Sequence, residues 1–179
     1  TTVTKATVSG GVLLVTTDAG ENDGANIQAL GEPFALSAGN IVYFRCVLES
    51  NEETQNDFFA GLAITDTTLL GGITDGVYFE KLDSGTGISF VVEQDSTETQ
   101  ADSLGTMAVD TEFDLEFYWD GSVLEAFIDG VSVATPALTN LPDDEELTLS
   151  FQGLTGETSA HTFTLHKCYA IQIGRVAAS

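Results

Sequence analysis

The amino-acid sequence predicts an all-β fold: a two-sheet antiparallel, jelly-roll-like β-sandwich forming one domain over residues 1–179. Three observations carry this expectation. Apolar and polar residues alternate with a period of two along much of the chain, as in FDLEFYW at Phe113–Trp119, so successive side chains point to opposite faces of a strand. Eighteen glycines, with clusters of Asp, Asn and Ser, punctuate these runs at the spacing of antiparallel strands. No long segment carries a 3.6-residue apolar repeat with helix caps.

The strands follow in order. Gly11–Thr17, Ala25–Leu30, Pro33–Ser37, Ile41–Glu49, Phe58–Thr65 and Gly76–Leu82 are rich in Val, Ile, Phe, Tyr and Thr. So are Gly87–Gln94, Glu112–Trp119, Val123–Ile128, Val131–Ala134, Leu147–Gln152 and His161–Ile173. One turn of helix is expected near Thr67–Gly72, and polar loops over Glu49–Asp57, Asp95–Ser103 and Pro142–Glu146. Asp120-Gly121 and Asp129-Gly130 read as hairpin turns, because a type I′ turn needs positive φ at both central residues. Alternation also assigns faces. Val42, Phe44, Cys46 and Leu48 are expected in the core, with Tyr43, Arg45, Val47 and Glu49 opposite. Phe113, Leu115, Phe117 and Trp119 are likewise core, against Glu112, Asp114, Glu116 and Tyr118. His161–Ile173 is long enough to change partners or carry a bulge.

Composition sets limits. The 179 residues, 42% of them hydrophobic and eleven of them Phe, suffice for one sizeable core. No apolar run approaches the ~20 residues that span a bilayer, and no signal peptide is visible. Twenty-eight acids against five bases give a net charge of −23. That charge argues against nucleic acid and anionic membranes as partners, since both are bound by basic surfaces. It fits a saline environment, a cationic partner surface or bound divalent ions; equally, the strand faces simply draw their polar residues from acids. The cysteines, Cys46 and Cys168, lie in apolar runs without zinc spacing, and read as free thiols or one bridge.

The meander FDLEFYWDG, SVLEAFIDGVSVA and LPDDEELTLSFQG resembles the concanavalin A-like lectin/glucanase superfamily. With Ile41–Glu49 and Phe58–Thr65, the resemblance covers about two thirds of the chain. It implies the sandwich fold and leaves function open, because this fold hosts lectins, hydrolases, receptors and capsid-surface modules. A second resemblance is to the small acidic proteins encoded beside the major capsid protein of tailed phages, which are capsid decoration (cement) proteins. It rests on the dense Thr/Asp/Glu/Gly strands and the order ANIQAL, FRCVLES, DGVYF.

Glu112, Asp114 and Glu116 form E-x-D-x-E, which is similar to the catalytic strand of laminarinases and lichenases. The resemblance implies two glutamates as nucleophile and general acid, and retaining chemistry needs carboxyls ~5–5.5 Å apart. In those hydrolases, however, the catalytic strand precedes the Asp-Gly-ending strand by tens of residues. Here it runs directly into Asp120-Gly121. The lone tryptophan, Trp119, also points away from the acids. A polar strand face is therefore the preferred reading, and no catalytic residue is assigned.

No cofactor or metal ligand is assigned either. Asp18, Glu21 and Asp23 cluster in a Gly-bearing loop that could hold calcium, but the spacing departs from the EF-hand and a solvated turn is preferred. His161 and His166 are five apart on one strand, so a regular strand puts them on opposite faces. Residues 1–10 read as a β-prone terminal arm or first strand, and the tail Val176–Ser179 is similarly uncharged.

The expected function is non-enzymatic: a virion structural protein on the capsid surface, bound to the major capsid protein and homo-oligomeric, with a trimer favoured. The alternative is a lectin-like carbohydrate-binding module, with or without calcium. A β-glucanase-type glycoside hydrolase is the third reading.

Overall fold

The computed structural model describes residues 1–6 and 11–174. Among the described residues, thirteen strands run β1 (Thr2–Ala6), β2 (Val12–Thr16), β3 (Gly24–Gln28), β4 (Asn40–Ser50), β5 (Asn56–Ala63), β6 (Gly76–Lys81) and β7 (Gly87–Gln94). They continue through β8 (Thr97–Thr106), β9 (Phe113–Trp119), β10 (Leu124–Ile128), β11 (Val131–Ala134), β12 (Thr148–Thr155) and β13 (Thr162–Gly174). Among the described residues, one 3-10 turn, Leu138–Asn140, interrupts them. One sheet has seven strands in the order β1-β2-β13-β4-β9-β10-β11; the other has six, β3-β12-β5-β6-β7-β8. Their pairings are antiparallel throughout. The two sheets face each other across a shared apolar core.

The alternation decides which residues fill that core. Val42, Phe44, Cys46 and Leu48 of β4 and Phe113, Leu115, Phe117 and Trp119 of β9 are all buried. They meet Phe58, Ala60, Leu62, Val77, Phe79, Ile88, Phe90 and Val92 from the other sheet. Phenylalanines bridge the layers: Phe90 lies 5.8 Å from Phe117, which stacks on Phe44 at 4.9 Å. Offset and tilted aromatic pairs of this kind add to area burial. At the other end Phe163 meets Phe151 edge-on and also lies over Gly153, where a Cβ would come within 2.7 Å of its ring. In β13 the pairing with β4 shifts register between Leu165 and Lys167. This bulge flips the phase, so Leu165 faces the core before it and Cys168 and Ala170 pack against the core after it.

One of the two expected hairpin turns is present as read, and several other local expectations are corrected. Asp129-Gly130 is a two-residue turn with φ of 53° and 75° at its centre, between Ile128 and its partner Val131. Asp120-Gly121 instead begins a four-residue loop, since Trp119 pairs with Leu124. Asp120 Oδ1 accepts from the Ser122 and Val123 amides, and only Gly121 takes a positive φ. Asp95–Ser103 is no loop; it contributes the turn Asp95-Ser96 and most of the polar edge strand β8. Pro33–Ser37 supplies a single bridge, Phe34 to Leu147, because Pro33 and the following turn prevent a ladder. Thr67–Gly72 is not helical but crosses the outer face of the six-stranded sheet. Residues 2–6 form the edge strand β1; residues 7–10 of the arm and the tail Val176–Ser179 lie outside the described residues. Among the described residues no helix is long and apolar enough to cross a membrane.

Candidate functional site

The outer face of the seven-stranded sheet is built by register. Tyr118 of β9 pairs with Tyr43 of β4, and Tyr43 pairs with Ile171 of β13, so the three form one row across the sheet. The next row is Glu116, Arg45 and Tyr169, and on the other side Ile41 pairs with Ile173. Tyr118, Ile171 and Ile173 are exposed, Ile173 to 60%. The rings of Tyr43 and Tyr169 lie 6.1 Å apart. In a chain this acidic, one face therefore gathers tyrosines and isoleucines around an arginine. That is the composition that protein interfaces favour.

Arg45 sits at the centre of this face. Its Nε and Nη2 donate to the two oxygens of Asp114, at 2.8 and 2.5 Å. Asp114, and then Tyr169, hold the guanidinium still more firmly protonated than usual. The Tyr43 hydroxyl donates to Glu116. Burial, and then that bond, raises the Tyr43 pKa above its ordinary value. Glu112 is mostly exposed and lies 3.6 Å from His166 Nε2. The three sequence-singled acids thus share one face, as alternation requires, but each has a different neighbour. Asp114 is taken by Arg45, Glu116 by Tyr43, and Glu112 stands beside His166. Trp119 is buried on the opposite side, with its Nε1 donating to the Ser37 carbonyl at 3.1 Å.

The outer face of the six-stranded sheet holds a second feature. Residues Asp57, Glu80, Leu82, Asp83, Glu98 and Gln100 line a depression of about 390 Å³. Beside it, the segment 64–75 lies over the sheet and buries Leu69 and Ile73 against Phe59, Tyr78 and Val91. Burial, and then the charges of Glu98, Glu93, Asp102 and Asp57, push the Glu80 carboxyl up from 4.5 to about 7. Gln100 Nε2 donates to Glu80 at 3.2 Å, and the Tyr78 hydroxyl donates to Glu93 at 3.0 Å. Burial also raises Glu93, Asp57 and Tyr78. None of these acids was singled out in the sequence. They become neighbours only through the pairing of β5, β6, β7 and β8, and burial leads the shifts of Glu80, Glu93 and Asp57.

The remaining sequence candidates separate. Among the described residues, the groups of carboxylates and histidines close enough to share one ion are Glu49, Glu112 and His166, and Glu52, Glu157 and His161. Asp18, Glu21 and Asp23 are not such a group. The two histidines do fall in different places, as their spacing requires: His166 lies beside Glu49 of β4 and Glu112 just before β9, and His161 beside Glu52 of the β4–β5 loop and Glu157 of its own β12–β13 connection. Cys46 and Cys168 are free thiols that pair directly across β4 and β13. A hydrogen bond with Cys168, and then burial, raises the Cys46 pKa.

No family model and no curated protein sequence matches the chain. Solved structures do. The carbohydrate recognition domain of Emp46p in its potassium-bound form is similar at TM-score 0.66 and 11% identity, over 97% of this chain and 87% of that one. A GH16 protein of the Bacteroides ovatus mixed linkage glucan PUL, in complex with product, is similar at TM-score 0.67 and 10% identity, over 94% and 85%. The endo-1,3-beta-glucanase of Streptomyces sioyaensis is similar at TM-score 0.68 and 12% identity, over 92% and 76%. At such identities the likeness speaks for architecture, and the architecture is the concanavalin A-like jelly-roll sandwich.

Proposed function

We propose that this protein is a non-enzymatic structural protein that decorates the outer surface of a capsid, docking through the outer face of its seven-stranded sheet. The observation that carries this reading is the row Tyr118, Tyr43 and Ile171, flanked by Arg45, Tyr169 and Ile173, on a chain of net charge −23. Large rigid side chains on one sheet face can be desolvated at little entropic cost. The acids elsewhere keep the free protein soluble. The resemblance to acidic phage proteins encoded beside the major capsid protein adds to this reading, and makes that protein the partner and a homo-oligomer, favoured as a trimer, the bound form. Co-sedimentation with purified capsids from the source tests it. Wild type is expected to pellet with the particle, and Ile171→Asp with Tyr118→Ala is expected to stay in the supernatant. A wild-type chain that remains a free monomer, absent from particles, would overturn the reading.

A second reading is a carbohydrate-binding module. It is favoured by the depression beside Glu80, whose polar lining suits sugar hydroxyls, and by similarity to a carbohydrate recognition domain and to glucanases. A glycan array separates the two. Binding that disappears in Gln100→Ala and survives in Ile171→Asp would place the ligand in that depression. Hydrolysis of a β-glucan by the wild type, lost in Glu112→Gln and Glu116→Gln, would displace both readings in favour of a glycosidase.

A further inference from the structure

We propose that Glu52, Glu157 and His161 form a zinc site that joins the β4–β5 loop to the β12–β13 connection. The ligand atoms of these three side chains all lie within 4.8 Å of one another. The independent observation is His161 itself. Its side chain is only 6% exposed, and its buried Nε2 has no hydrogen-bond partner. A buried ring nitrogen left in this way is an unusual state in a folded protein.

The geometry around that nitrogen suits a metal better than a proton. Glu157 Oε1 is 3.2 Å from His161 Nε2, yet the pair does not satisfy hydrogen-bond geometry. Two ligands on a tetrahedral zinc, each ~2.0–2.1 Å from the ion, are about 3.3 Å apart. A carboxylate oxygen beside the ring nitrogen, rather than in line with it, is where a second ligand belongs.

Glu52 is prepared in the same sense. Thr54 N, Thr54 Oγ1 and Gln55 N all donate to its Oε1, at 2.8, 2.7 and 2.9 Å. These bonds orient the carboxylate and leave Oε2 for another partner. Three donors on one oxygen also favour the carboxylate over the neutral acid. The nearby cation Lys81 is committed to the carbonyls of Thr54 and Asn56.

The two loops are also fastened to each other. Gly156 N donates to Gln55 O at 2.9 Å, and Thr162 N donates to Asn51 Oδ1 at 2.7 Å. The His161 amide donates to Thr17 Oγ1 at 2.8 Å, which fixes the start of β13. A nitrogen with two carboxylates selects zinc over calcium and magnesium, which take oxygen ligands almost exclusively. Water completes the four-coordinate set.

The test is equilibrium dialysis of the full chain against zinc in excess calcium and magnesium, followed by metal analysis. One zinc retained per chain is expected, with cobalt(II) giving visible d–d absorption in the same protein. His161→Gln should lose the ion, and Glu157→Gln should weaken it by about tenfold or more. Because Glu157 is 40% exposed, that variant should fold even if His161→Gln does not. His166→Gln, in the other histidine–carboxylate group, should bind as wild type. A folded wild-type chain that retains no zinc would overturn the proposal. So would zinc retained equally by wild type and Glu157→Gln, or lost only in His166→Gln.

Discussion

Arg45 reaches along the outer face of the seven-stranded sheet to grip both oxygens of Asp114, although its direct cross-strand partner is Glu116. The diagonal contact pairs Asp114, while the neighbouring Glu116 on the same strand face accepts from Tyr43. Both side chains are about one quarter exposed, so the pair is partly screened. Bidentate geometry places it at the upper end of surface pairs. Arg45→Ala is expected to cost about 1 kcal/mol, read from the urea midpoint. A double-mutant cycle with Asp114→Ala should recover most of that as coupling. Independent, additive effects would show that the strand face is stabilised by something other than this pair.

The acids around Glu80 make stability depend on pH in a stated direction. Glu80 rises from 4.5 in the ordinary state to about 7 in the fold, so the folded chain holds a proton that the unfolded chain releases. Its contribution is complete below pH 4.5 and is lost as the pH climbs through about 7. Glu93 and Asp57 are raised and act in the same sense. Glu52, lowered to about 2, acts oppositely and only in more acid solution. The melting temperature should therefore fall between about pH 5 and pH 8. Glu80→Gln should flatten that fall and melt higher than wild type at the alkaline end. An unchanged slope in the variant would mean that Glu80 is solvated as an ordinary carboxylate.

Lys81 ends β6 in the core-facing phase, after Val77 and Phe79, and is 1% exposed. Its Nζ donates to the carbonyls of Thr54 and Asn56 and to Asn56 Oδ1, at 3.0, 2.5 and 2.7 Å. Burial pulls its pKa down to about 8. Lys81→Met removes a buried charge yet leaves three acceptors without a donor. The expected cost is about 3 kcal/mol by chemical denaturation. A neutral or stabilising result would show that water or another donor can replace the ammonium.

What could be read from the residues follows from where each face ends. Ile41–Glu49 was legible because one side of the strand is wholly apolar, and all four residues on that side are buried. Strand β8 was not, because an edge strand needs no apolar face, and its turn, Asp95-Ser96, reaches positive φ without glycine. The candidate interface was half legible. Tyr43 and Arg45 were assigned outward, but their rows with Tyr118 and Ile171 depend on the register of β9, β4 and β13, which lie far apart in sequence. The Glu80 group and the His161 group were illegible for the same reason: each joins acids from separate segments, and tertiary burial supplies what is distinctive about them.

The segment 64–75 is anchored on the six-stranded sheet by two buried apolar side chains, Leu69 and Ile73, of which Leu69 is fully buried. It is fully buried against Phe59, Ala63, Ile73, Tyr78 and Val91. Nearby, the Leu70 amide donates to Gln152 Oε1 at 2.9 Å, and Gln28 Nε2 donates to the Ile64 carbonyl at 3.0 Å. Truncating Leu69 to Ala removes the apolar anchor but leaves both sheets and the main core intact. The cost should sit near the low end of buried Leu→Ala changes, about 2 kcal/mol, because the segment can lift instead of enclosing a cavity. Hydrogen exchange should therefore lose protection at the Leu70 amide, while the β5, β6 and β7 amides keep theirs. The exposed Phe59 and Tyr78 should then bind a hydrophobic dye that the wild type does not. Uniform loss of protection across both sheets would instead make this segment part of the cooperative core.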